Sequence, residues 1–79
     1  MLIKILGGGC KNCQNLHKNT LEALETLGVE AEVVKVEEIN DIMAYGVMKT
    51  PALVIDEEVK VMGRVPKAKE ITKILKEYI

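Results

Sequence analysis

The stretch Cys10-Lys11-Asn12-Cys13 holds both cysteines of this 79-residue chain, and the rest of the sequence is best interpreted outward from it. It follows Gly7-Gly8-Gly9, where a short apolar run gives way to residues at helical spacing. Two intervening residues let both sulfurs meet at the start of a helix and close a reversible disulfide, and the helix N-terminus stabilises the first thiolate. The placement indicates thiol–disulfide exchange, although metal-carrying domains also have Cys-x-x-Cys at a strand–helix junction.

Composition excludes several classes of function. The net charge is −1 and two tyrosines are the only Phe, Tyr or Trp residues, so the basic surface and stacking groups of a nucleic-acid binder are missing. No apolar run approaches the roughly 20 residues that span a bilayer, and no secretory signal is visible. We expect one domain over residues 1–79, a monomer in the cytoplasm with no nucleic-acid or membrane partner. A structural disulfide would be reduced in that compartment, which favours a catalytic or metal-binding cysteine pair.

Hydrophobic periodicity predicts the element order βαβαββα. The predicted strands are 2–6, 31–36, 52–55 and 59–62, and the predicted helices are 13–27, 37–45 and 67–78. Gly28 is placed to end the first helix, and residues 56–58 are predicted as a three-residue hairpin loop. A helix between the first two strands makes them parallel, and the hairpin adds antiparallel strands. The expected fold is α/β, with a four-stranded mixed sheet flanked by three helices.

Three stretches in this order resemble the small thioredoxin-fold, glutaredoxin-like redox-active disulfide proteins of archaea and bacteria. They are Gly7-Gly8-Gly9-Cys10-Lys11-Asn12-Cys13, Thr50-Pro51-Ala52-Leu53 and Val61-Met62-Gly63-Arg64-Val65. The resemblance covers essentially the whole chain. It implies the thioredoxin fold and a thiol–disulfide oxidoreductase without a cofactor. It also implies a protein or small-molecule disulfide substrate, an upstream reductant and a cis Thr50–Pro51 bond.

The two cysteines receive different predicted roles. Cys10 precedes the helix and should be the exposed nucleophile, whereas Cys13 lies one turn inside and should resolve the mixed disulfide. Lys11 is the candidate that lowers the pKa of Cys10 by its charge, and the alternative is an ordinary solvated lysine. No acidic residue just before the motif is available to accept the proton of Cys13. The sequence alone does not identify the proton acceptor of Cys13.

Residues near the hairpin are the candidate substrate-binding groups. The first hairpin strand should run antiparallel beside the first strand, which brings Pro51 close to the cysteines. The resemblance implies that the Thr50 backbone pairs with an extended partner peptide and that Gly63 lets a partner backbone approach. The alternative for Gly63 is a turn role alone. Arg64 is either a partner for a carboxylate of the substrate or a solubilising surface residue.

Two other functions remain open at this stage. A soft-metal or metalloid carrier for Cu(I), As(III) or mercury would use the same two thiolates. His17 would be a third ligand, but a closed zinc site needs four, and a half-exposed helix histidine is the simpler interpretation. Met43, Met48 and Met62 are interpreted as core or rim packing rather than a metal set. The third possibility is a recognition module without turnover, which would have no need of both sulfurs.

Overall fold

The computed structural model describes residues 1–7 and 11–79, and its elements follow the predicted order βαβαββα. The strands are β1 (Leu2–Leu6), β2 (Glu32–Val36), β3 (Ala52–Ile55) and β4 (Glu58–Met62). The helices are α1 (Lys11–Leu27), α2 (Ile39–Ala44) and α3 (Ala68–Leu75), and a 3-10 turn follows α3 over Lys76–Tyr78. The predicted α/β class is confirmed.

The four strands form one mixed sheet in the order β2-β1-β3-β4. Strand β2 pairs parallel with β1, as expected when a helix connects two neighbouring strands. Strand β3 pairs antiparallel with β1 on its other side, and Leu6 lies opposite Ala52. The start of β3 therefore lies beside the end of β1, as the sequence predicted.

Apolar cores cover both faces of the sheet. On one face, α1 and α3 pack together over Ile3 and Ile5 of β1 and over Leu53 of β3. On the other face, Ile42 of α2 packs with a second cluster that includes Leu6. Neighbouring strand residues point to opposite faces, so the fully buried β3 supplies side chains to both cores.

Helix α1 ends at the predicted residue. Gly28 has a φ of +65°, which glycine adopts without steric cost. Its N–H donates to the Glu25 carbonyl and the Val29 N–H donates to the Leu24 carbonyl, both at 3.1 Å. This pair of hydrogen bonds is the Schellman arrangement, which satisfies carbonyls that would otherwise have no partner at the helix end.

The hairpin loop and the bounds of the three helices differ from the sequence prediction. The loop contains two residues rather than three, because Ile55 already pairs with Glu58. Asp56 and Glu57 have φ values of 48° and 70°, as in a type I′ turn. That turn usually carries glycine, so Asp-Glu gives no signal for it. The second helix covers only Ile39–Ala44, and the last turn of the third tightens into 3-10 geometry.

A polar cluster joins β1, the end of α2 and the hairpin turn. The Lys4 ammonium donates to the Tyr45 hydroxyl and lies 2.7 Å from a Glu57 carboxylate oxygen. The Tyr45 hydroxyl in turn donates to the other Glu57 oxygen at 3.0 Å. The hydrogen bonds to Glu57 and Tyr45 raise the pKa of Lys4, and the hydrogen bond from Lys4 lowers the pKa of Glu57. The cluster therefore favours the charged form of both groups.

Leu16 offers a test of the larger core. It is fully buried on α1, whereas Leu21 on the same helix is 47% exposed. Leu16→Ala should lower the free energy of unfolding by about 2–5 kcal/mol through the lost transfer energy and the cavity left behind. Leu21→Ala, the matched control, should change it by about 0.5 kcal/mol or less. Urea unfolding followed by circular dichroism measures both, and equal effects would contradict the packing described.

The Lys4–Glu57 pair predicts a pH-dependent stability difference. The folded pKa of Glu57 is below its ordinary value of 4.5, so its contribution is complete above that value and is lost as the pH falls through the folded pKa. Glu57→Gln should be less stable than the wild type at about pH 7, and the difference should shrink progressively as the pH falls below 4.5. Urea unfolding at several pH values measures this. Glu22→Gln on α1 serves as the exposed control, and a pH-independent difference would contradict the prediction.

Candidate active site

Cys13 is the third residue of α1, in its first turn, and is only 5% exposed. It is disulfide-bonded. The expected burial of this sulfur is therefore present. Cys10, the other cysteine of the sequence, lies outside the described residues, and so do Gly8 and Gly9. The role of Cys10 as the exposed nucleophile stays a prediction.

The backbone of Gly7 lies between Cys13 and Pro51. A methyl group built on Gly7 would lie 2.2 Å from the Cys13 Sγ atom and 3.9 Å from the Pro51 Cα atom. The Gly7 N–H donates to the Val36 carbonyl of β2 at 2.9 Å, which fixes the end of β1 in this position. The sequence indicated glycine here only as a turn residue. Its larger contribution is to leave room for the sulfur.

The hairpin residues predicted to bind substrate come together beside this position. The Thr50–Pro51 peptide bond is cis, the isomer that the resemblance implies. The Gly63 N–H donates to the Pro51 carbonyl at 2.9 Å, so the two residues are direct neighbours. Gly63 has a φ of +77°, and a Cβ atom there would lie 3.1 Å from Cβ of Lys49. Pro51 is buried and Thr50 is exposed.

Two predicted charged groups lie on the surface. Lys11 is exposed at the first residue of α1, and its proposed effect on Cys10 stays a prediction. The Arg64 guanidinium forms a two-pronged ion pair with the Glu70 carboxylate of α3. This hydrogen bonding raises the pKa of Arg64 and lowers the pKa of Glu70. Arg64 thus has an intramolecular partner, which neither sequence-based interpretation included.

His17 is half-exposed, as expected for a helix surface. Partial burial lowers its pKa, and the charge of Lys35 on β2 adds to that effect. Among residues 1–7 and 11–79, no three His, Cys, Asp or Glu side chains are grouped so that they could hold a metal ion. The same residues contain no helix that is long and apolar enough to cross a bilayer.

Exposed apolar side chains lie next to Thr50. Of the three methionines predicted to pack in the core or at its rim, Met43, Met48 and Met62 are 65%, 89% and 48% exposed, so none of them lies in the core. Met43 and Met48 line an open groove of about 340 Å³ with Ile39 and Thr50. Ile39 and Met43 lie on α2, whose one buried residue is Ile42. This exposed surface could not be predicted from the sequence, because helical spacing alone does not identify which apolar residues pack against another element.

A partly enclosed cavity of about 170 Å³ borders Cys13. The residues that line it are Ile5, Gly7, Cys13, Gln14, Lys35 and Glu37. Sequence reasoning missed Lys35 and Glu37 as site residues. Their placement depends on the pairing of Ile5 with Lys35 across the parallel strands, and no local motif signals that register.

Gly7→Ala tests the close approach of the sulfur. The added methyl group would overlap the Cys13 Sγ atom, so the free energy of unfolding should fall by about 1–3 kcal/mol under reducing conditions. The same substitution in a Cys13→Ala background should cost less, because the overlapping sulfur is gone. Urea unfolding of the four proteins completes the cycle. An equal cost in both backgrounds would show that the sulfur is not the limiting contact.

Comparison with known proteins agrees with this geometry. The family model for the thioredoxin domain matches residues 1–76. A thioredoxin of Methanothermobacter thermautotrophicus is 48% identical over 75 residues, which cover 95% of this chain and 97% of that protein. A thioredoxin of Methanocaldococcus jannaschii is 37% identical over 79 residues, covering all of this chain and 91% of that protein. The predicted resemblance is confirmed, and the chain belongs to the thioredoxin family.

Proposed function

We propose that this protein is a thiol–disulfide oxidoreductase that exchanges electrons through the pair Cys10 and Cys13. The observation that carries the proposal is the placement of Cys13. Its sulfur is disulfide-bonded, nearly buried at the start of α1, and close to the cis-linked Pro51 across Gly7. A reversible disulfide held at a helix start is the chemistry that this arrangement serves. The two related thioredoxins support the same class of activity.

In the proposed reaction the two sulfurs act in sequence. The Cys10 thiolate attacks one sulfur of the substrate disulfide, and the other substrate sulfur leaves as a thiolate. Cys13 then loses its proton and attacks the Cys10 sulfur of the mixed disulfide. The Cys10–Cys13 bond forms, the bond to the substrate breaks, and two electrons have passed to the substrate. An upstream reductant returns the pair to the dithiol. Lys11, exposed beside Cys10 in sequence, is proposed to favour the Cys10 thiolate.

Thr50, Pro51 and Gly63 are proposed to hold the substrate. The Gly63 N–H donates to the Pro51 carbonyl, and the adjacent Thr50 is exposed, so we infer that a partner strand pairs with the Thr50 backbone. The exposed side chains of Met43 and Met48 extend this region with adaptable apolar contacts. A protein segment that carries a disulfide fits both features better than a small polar disulfide does.

Further properties belong to the same proposal. We infer one thioredoxin-like domain over residues 1–79, acting as a monomer without a cofactor. A cytoplasmic location suits a cysteine pair that must return to the dithiol after each turnover. The soft-metal carrier and the recognition module without turnover have no support from the thioredoxin relatives, and neither is proposed.

Paired cysteine variants test the proposed function. Cys10→Ser should reduce insulin disulfides no faster than the uncatalysed background, since the attacking sulfur is gone. Cys13→Ser should also fail to turn over, but it should accumulate a covalent mixed disulfide with the substrate, because the resolving sulfur is missing. Turbidity follows insulin reduction, and mass spectrometry identifies the adduct.

The two variants also serve as controls for each other. Each removes one sulfur from the same short segment, and circular dichroism verifies that both fold. The expected contrast is an adduct in Cys13→Ser and none in Cys10→Ser. Insulin reduction by Cys10→Ser at the wild-type rate would overturn the proposed function.

A further inference from the structure

Glu37 is one of the residues that line the cavity beside Cys13. Strands β1 and β2 run parallel, with Ile5 opposite Lys35 and Leu6 opposite Val36. Glu37 is the first residue beyond β2, so it lies at the end of the sheet where Gly7 meets Cys13. Lys35 and Glu37 are two residues apart and both line the cavity with Cys13.

The reaction requires a proton acceptor at this place. The thiolate, not the thiol, attacks a disulfide, so Cys13 must lose its proton before it resolves the mixed disulfide. Cys13 is 5% exposed, which largely removes bulk water as the acceptor. Of the described cavity-lining residues, Lys35 and Glu37 carry ionisable side chains besides Cys13. A protonated lysine cannot accept a proton, whereas a carboxylate can.

We propose that Glu37, which lines the cavity with Cys13, is the proton acceptor for Cys13. This inference rests on the proposed function. The Cys13 thiol proton passes to the Glu37 carboxylate directly or through one water in the cavity, and the new thiolate attacks the Cys10 sulfur. The electron pair of the broken bond leaves with the substrate thiolate. Glu37 is itself exposed, so the carboxylic acid releases its proton to solvent and is ready for the next turnover.

Other charged groups surround this position from each neighbouring element. Partial burial lowers the pKa of the His17 imidazole on α1, and the positive charge of Lys35 lowers it further. Glu38 and Asp41 line a second, more open groove together with Lys35 and Glu37, and Cys13 does not line that groove. His17, Glu38 and Asp41 do not line the cavity beside Cys13. Glu38 is therefore a matched control, one residue away and equally a carboxylate.

The test separates the two sulfur reactions in time. When the reduced protein meets dithiobis(nitrobenzoate), attack by Cys10 releases a first coloured thiolate and resolution by Cys13 releases a second. In Glu37→Gln the first phase should match the wild type, and the second should slow by about 10²-fold near neutral pH. The gap should close at high pH, where hydroxide removes the proton instead. Glu38→Gln should behave as the wild type in both phases, and Glu37→Asp should recover part of the second phase.

Each alternative result has a distinct meaning. An unchanged second phase in Glu37→Gln overturns the inference, as does equal slowing by Glu38→Gln or a deficit that does not depend on pH. An accelerated second phase also overturns it, because loss of a negative charge by itself favours the Cys13 thiolate. If the wild type releases no second thiolate at all, the proposed function itself fails, so the two failures are distinguishable.

Discussion

The site depends on the close contact between the Gly7 backbone and the Cys13 sulfur. This contact sets the distance between the end of β1 and the first turn of α1, and Pro51 closes the same junction from the side of β3. Because the N–H of Gly7 is also bonded to Val36, three strands and one helix converge on a residue without a side chain. A larger residue would displace the sulfur, the sheet end or the proline, and each of these belongs to the site.

The rest of the fold supports that junction from both faces of the sheet. Helices α1 and α3 anchor the face on which Cys13 lies, and the Asn19 side chain fastens α1 to the Pro66 carbonyl at 3.0 Å. The opposite face has less cover, since α2 has only six residues and buries Ile42 alone. That asymmetry leaves Met43 and Met48 exposed beside Thr50. The site thus combines a buried Cys13 sulfur with the exposed apolar side chains of Met43 and Met48.

The parts of this arrangement that depend on local chemistry could be predicted from the sequence. The element order, the end of α1 before Gly28 and the approach of Pro51 to the end of β1 follow from periodicity, from glycine and from the antiparallel pairing of β3 with β1. Prediction failed where the outcome depends on tertiary contacts. The hairpin turn at Asp56 and Glu57 lacks glycine. The conformational cost of these two left-handed residues is offset by the hydrogen bonds between Asp56 and Leu2 and by the ion pair of Glu57 with Lys4.

The missed site residues have the same explanation. Glu37 reaches the cavity because the β1–β2 register places it there, 24 positions after Cys13 in the numbering of the chain. Neither spacing nor residue type distinguishes it from its neighbour Glu38. Likewise, the sequence indicates that Gly7 can turn, but the need to accommodate a sulfur appears only once α1 is placed against β1.

The edge strand β4 has a consequence for self-association. Val54 pairs with Val59 and Leu53 with Val61, so Lys60 is an extra residue that bends the edge of the sheet. Its ammonium is held by Glu58 at 2.9 Å and over the Tyr78 ring at 5.1 Å, which keeps a charge along the outermost strand. An irregular, charged edge is a poor template for a strand from another molecule. The β4 edge of the sheet therefore resists the growth of intermolecular β-structure, although Met43 and Met48 are exposed elsewhere on the surface.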